Sequence, residues 1–69
     1  MKLSARNIIK GKVVKLTRGT VNAEVTLELP GGTQLVSIIT LASVDNLGLA
    51  VGKDAYAVIK ASSIMIGVD

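Results

Sequence analysis

Residues 21–29, Val-Asn-Ala-Glu-Val-Thr-Leu-Glu-Leu, alternate without a break: every odd position is apolar and every even position is polar. A repeat of two places successive side chains on opposite faces of an extended chain, so this stretch is a strand with one face in a core. Asn22, Glu24, Thr26 and Glu28 are expected to face water or a partner. Pro30-Gly31-Gly32 then ends the strand in a hairpin turn. The pattern commits the chain to a sheet, whose other members lie on either side.

Upstream, residues 8–17 are rich in β-branched types and predict a first strand. Lys10 and Lys12 share their parity with Val14 and Leu16, so that face changes character midway. A bend or bulge near Gly11 would do this. Arg18-Gly19 signals a turn. Downstream, residues 33–40 form a third strand with apolar residues on both faces, which predicts that both are covered. Ser37 is its polar exception, either a solvated position or a hydroxyl kept for a ligand.

Over residues 41–48 the period changes. Leu41, Val44 and Leu47 recur at helical spacing, Thr40 or Ser43 caps the start, and Gly48 suits the residue just past the end. Backbone N–H groups at such a helix start offer one means of holding an anion, and the alternative is that the hydroxyls serve only as caps. Gly52-Lys53-Asp54 makes another turn, residues 55–60 a fourth strand and residues 63–68 a fifth. The predicted fold class is all-β. One domain over residues 1–69 forms a five-stranded OB-like barrel, with one short helix between strands 3 and 4.

At 69 residues such a chain buries only about 60% of its unfolded surface, so its core needs support. With no Cys and no His, disulfides and the usual structural metal sites are largely excluded. Yet 49% of the residues are hydrophobic, nearly all aliphatic, which predicts further burial between subunits of a homo-oligomer. No apolar segment is long enough for a signal peptide or a membrane span, and the expected location is the cytoplasm.

The same inventory argues against catalysis. There is no His to move protons near neutral pH and no Cys nucleophile, and the five carboxylates are scattered. No cluster has the spacing of a cation site. Nucleic-acid binding is the rival reading, because OB barrels often perform it and Lys10, Lys12, Lys15 and Arg18 could track a phosphate backbone. Binders of that kind stack bases on aromatic side chains, and the one aromatic residue here is Tyr56. The lysines have an alternative use as a charged strand edge that resists aggregation.

What remains is a pair of donor-rich segments near the two ends, Ser4-Ala5-Arg6-Asn7 and Lys60-Ala61-Ser62. Each sets a fixed cation beside a small hydroxyl, with no acid among them. Brought together, within one subunit or across an interface, they suit an anion that only accepts hydrogen bonds. The net charge of +3 is compatible with such a guest and with an ordinary soluble domain alike.

These two segments, with Ile9-Lys10-Gly11-Lys12-Val13, Gly19-Thr20-Val21-Asn22-Ala23-Glu24-Val25 and Ser37-Ile38-Ile39-Thr40, resemble the molbindin (Mop) family of molybdate-binding proteins over nearly the whole chain. The resemblance implies an OB-like fold assembled as a hexamer, a trimer of dimers, holding molybdate or tungstate at subunit interfaces for intracellular molybdenum storage. It implies no organic cofactor. By the same resemblance, Ser4, Arg6, Thr40, Ser43, Lys60 and Ser62 surround one kind of oxyanion site. A second kind involves Gly19, Thr20, Val21 and Asn22, with Ser37.

Overall fold

The strand at the centre of the molecule is β1, Asn7–Arg18, in a computed structural model that describes residues 1–69. It is followed by β2, Asn22–Glu28, β3, Gln34–Thr40, the helix α1, Leu41–Leu47, and β4, Asp54–Ile59. All neighbours pair antiparallel, in the order β3-β2-β1-β4. At twelve residues β1 is long enough to serve two partners: its first half pairs with β4 and its second half with β2. The sheet curls so that β2, β3 and β4 line one concave apolar surface.

Four strands form rather than the five expected. Residues 63–68, read as a fifth strand, lie partly in a single 3-10 turn, Ala61–Ser63, and are otherwise without regular structure. Their composition suits a strand, but a strand needs a neighbouring edge. From Met65 on, the large apolar side chains stand in solvent: Met65 is 93%, Ile66 87% and Val68 94% exposed.

The bulge also differs from expectation. It falls at Val14, between the pairs Val13↔Leu27 and Lys15↔Thr26, rather than at Gly11. One extra residue shifts the parity of everything beyond it. Val13 therefore faces the core before the bulge, and Leu16 packs against that same core after it. This resolves the mixed face of the lysines, since Lys10 and Lys12 lie before the bulge and point outward with their parity.

In β2 the alternation holds at Ala23, Val25 and Leu27, all buried. Thr26, expected outside, is also buried. It lies in the middle of the sheet, paired with Lys15 on one side and Val36 on the other. Val21 is exposed because β2 begins only at Asn22, after a tight turn in which the Gly19 N–H donates to the Asn22 carbonyl at 2.8 Å. In β3 the expectation of two covered faces fails within one chain: Leu35 and Ile39 are half-buried, whereas Val36 and Ile38 are exposed.

The helix forms as its spacing predicts. Thr40 is the N-cap, its Oγ1 accepting from the Ser43 N–H at 3.1 Å. Gly48 closes the other end with φ 62°, a left-handed conformation that a side chain would resist. The Leu49 N–H reaches back to the Val44 carbonyl at 3.1 Å, the bond expected where a helix ends in this way. Val44 is fully buried, while Leu47, at the edge of the helical face, is 64% exposed. Replacing Thr40 with alanine leaves the Ser43 N–H without its partner and should cost about 1 kcal/mol. Thermal unfolding of the anion-free protein should show this as a fall of about 4–8 °C, recovered largely by Thr40→Ser.

The buried hydrophobic residues number only five: Val13, Ala23, Val25, Leu27 and Val44. The accessible surface is 5316 Å² for a 7.1 kDa chain. Surface scaling assigns about 4,100 Å² to a folded monomer of that mass. The excess of about 1,200 Å² is of the order that one partner contributes to a stable protein interface. No helix is long and apolar enough to cross a membrane.

Candidate functional site

The pairing of β1 with β4 runs from Lys12↔Asp54 out to Asn7↔Ile59. The ladder ends there, and the segments just beyond it, residues 4–6 and 60–62, lie beside one another. A shallow pocket at that end is lined by Ser4, Ala5, Arg6, Val58, Lys60 and Ala61, with Ser62 completing it. The two donor-rich segments thus meet within one chain, each reading donor, alanine, donor. The small Ala5 and Ala61 leave the space between the polar residues open.

Two local features hold the segments in place. The Asn7 side-chain amide donates to the Ile59 carbonyl at 3.3 Å, tying the strands together one residue inside the pocket. The 3-10 turn then begins directly after Lys60, with the Ser63 N–H donating to the Lys60 carbonyl at 2.9 Å. The bracing role of Asn7 was not anticipated from sequence. Its signal was present as an amide directly beside the cation, but such a residue acquires meaning only through its cross-strand partner.

The electrostatics of the pocket are one-sided. The ion pairs of the chain lie elsewhere, at Lys10–Asp54, 3.8 Å, and Arg18–Asp45, 2.9 Å. Arg6 and Lys60 therefore face the pocket with no carboxylate to neutralise them, and no acidic residue lines it. An arrangement of two fixed cations and two hydroxyls accepts an anion and repels a metal cation. No group of His, Cys, Asp or Glu is placed to hold a metal ion.

Thr40 and Ser43 are not in this pocket. Thr40 pairs with Asn22, at the end of the sheet where Arg18 closes β1, whereas Asn7 opens β1 beside Ile59. Twelve residues of strand, at about 3.3 Å each, separate the two ends. The six residues grouped by the resemblance are thus split four and two within one chain. At the far end, the Thr40 hydroxyl donates to the Ser43 hydroxyl at 2.9 Å. The Leu41 N–H donates to the Val21 carbonyl at 2.9 Å, so Thr40 and Ser43 stand beside the turn of Gly19, Thr20, Val21 and Asn22. Ser37 is exposed further back on β3, opposite Val25, and lines the concave apolar surface instead.

The lysine run is a poor nucleic-acid track. Lys10 and Arg18 both spend their charge on carboxylates. Tyr56 is exposed, but a single ring offers no stacking platform.

A family model described as the TOBE domain matches residues 3–66. The chain belongs to the TOBE-domain family. Within that family, it is 55% identical over 69 residues to a probable molybdenum-pterin-binding protein of Haemophilus influenzae, covering 100% of both chains. It superposes on the structure of MopII from Clostridium pasteurianum with a TM-score of 0.93 and 49% identity, covering 97% of this chain and 100% of that one. A crystal structure of the cytoplasmic molybdate-binding protein ModG, with molybdate bound, gives a TM-score of 0.96 and 52% identity. That match covers 100% of this chain and 49% of ModG. The Mop resemblance read from the residues is borne out.

Proposed function

We propose that this TOBE-domain protein binds molybdate, and tungstate likewise, as an intracellular store of the oxyanion. The observation that carries the reading is the meeting of Arg6 and Lys60, without acid partners and flanked by Ser4 and Ser62. Relatives named for molybdenum and a molybdate-bound homologous structure support the choice of anion.

Molybdate is a dianion at neutral pH, and burying it unpaired would cost several kcal/mol or more. Arg6 and Lys60 balance its charge, while Ser4 and Ser62 donate to its oxygens. Because Thr40 and Ser43 lie at the opposite end of β1, they join this site only from another copy of the chain. Such a site lies at a subunit interface, in keeping with the apolar surface left uncovered in one chain and with assembly as a hexamer, a trimer of dimers. The Gly19–Asn22 turn supplies the second kind of oxyanion site, without Ser37, which lines the concave apolar surface. Sulfate has the same shape and the same acceptors, so selection against it rests on pocket size. Phosphate carries a proton near neutral pH, and this pocket has no carboxylate to accept it, only hydroxyls that are better used as donors to the anion.

Calorimetric titration of dialysed protein with molybdate, against sulfate as control, tests the proposal. Tight binding of molybdate with little heat from sulfate is the expected result. Folded protein that takes up neither ion would overturn it.

A further inference from the structure

The pocket at the β1–β4 end gathers two cations with no acid between them, and two such charges repel until an anion arrives. The backbone that carries them must resist that repulsion. Arg6 and Lys60 both stand just outside the ladder, whose last pair is Asn7↔Ile59. Each cation is the chain neighbour of one member of that pair. A terminal pair has no rung beyond it, and a ladder opens first at such an end.

The two segments differ in how they are held. On one side, the Lys60 carbonyl accepts from the Ser63 N–H at 2.9 Å and the Ala61 carbonyl from the Ile64 N–H at 3.3 Å, so the turn fixes residues 60–62 locally. On the other side, backbone hydrogen bonds begin with the ladder at Asn7, and residues 4–6 make none. The Asn7 amide crosses between the two sides, with Nδ2 donating to the Ile59 carbonyl at 3.3 Å in a part-buried bond. Neither Asn7 nor Ile59 lines the pocket, whereas Arg6, Val58 and Lys60 beside them do. The bond is therefore made behind the pocket. An amide suits the place because it donates without charge: a lysine would add a third cation, and a carboxylate would neutralise Arg6.

We propose that Asn7 is a positioning residue of the anion pocket. It fastens the last rung against the repulsion of Arg6 and Lys60, and so holds both cations in the receptive arrangement before the anion arrives. Asn7 itself does not touch the anion. Its bond raises affinity by keeping that arrangement populated, since apparent affinity falls with the fraction of chains that hold it. Without the bond, binding must first order residues 4–6. The proposal rests on the anion reading of the pocket and adds a residue to it.

The test compares full-length Asn7→Ala and Asn7→Asp with the parent protein. Titration calorimetry with molybdate should show affinity lowered by about 2- to 12-fold in Asn7→Ala, the range of one net hydrogen bond. The loss should be larger in Asn7→Asp, where an acceptor of the same shape faces the Ile59 carbonyl. Relaxation-dispersion NMR of the anion-free proteins should show exchange at the amides of residues 5, 6, 60 and 61 in Asn7→Ala but not in the parent. That exchange should largely vanish when Asn7→Ala is combined with Lys60→Met, which removes the repulsion the bond opposes; a merely structural role would not depend on that charge. Parent affinity in Asn7→Ala, or exchange undiminished by Lys60→Met, would overturn the proposal. A parent protein that takes up no molybdate would overturn the anion reading instead, and the exchange measurement, made without anion, would still decide whether Asn7 holds the two cations together.

Discussion

Replacing Arg6 with alanine lowers molybdate affinity by roughly 10- to 150-fold, the equivalent of about 1.5–3 kcal/mol for hydrogen bonds to a charged partner. Arg6 is exposed and takes no part in either ion pair of the chain, so the substitution removes nothing that holds the fold. The melting temperature of anion-free protein should therefore stay where it is. Lysine at this position restores the charge but not the planar fork of donors, and should recover part of the loss. Titration calorimetry on Arg6→Ala and Arg6→Lys reads both effects. Unchanged affinity in Arg6→Ala would remove the β1–β4 end as the anion site and leave the Gly19–Asn22 turn as the remaining candidate.

Valine in place of Gly11 destabilises the protein by about 1–3 kcal/mol, the usual cost of forcing extra atoms into packed structure. The reason is proximity. A Cβ at residue 11 would lie 2.8 Å from the Glu28 carbonyl oxygen and 3.1 Å from Leu29 Cδ2. The Leu29 side chain can rotate, but the carbonyl belongs to the last residue of β2, which pairs with Lys12. Relief of the clash therefore parts β1 from β2 where β1 passes from one partner strand to the other. For a domain of this size the loss corresponds to a melting temperature lower by about 4–8 °C for each kcal/mol. Thermal unfolding followed by circular dichroism measures it, and a variant melting at the parent temperature would show that the strands give way without cost.

Much of this protein follows from local pattern. The alternation of residues 21–29 marks β2 and the side of it that enters the core, because strand periodicity is a property of the chain alone. Thr40 and Gly48 bracket α1 for the same kind of reason: a hydroxyl that reaches a free N–H and a residue without a side chain act within a few positions. The chemistry of the site was also legible, since Arg6, Lys60, Ser4 and Ser62 donate and none carries negative charge. What the pattern misplaced depended on partners. The bulge sits at Val14 because that is where β1 must adjust its parity against β2, a relation between two strands that neither segment contains. Residues 63–68 have the composition of a strand and remain unpaired, because a strand exists only beside an edge that accepts it.

The sequence by itself determined the core face of β2, the helix caps, the cationic, acid-free character of the site and an aliphatic surplus too large for one small core. Only the tertiary structure decided that Arg6 and Lys60 line one pocket, that Thr40 and Ser43 lie at the other end of β1, and that the sheet has four strands with two open edges. The physical reason is range. Propensity, capping and charge act over a few residues, whereas register joins positions some fifty apart and is settled by which edges meet.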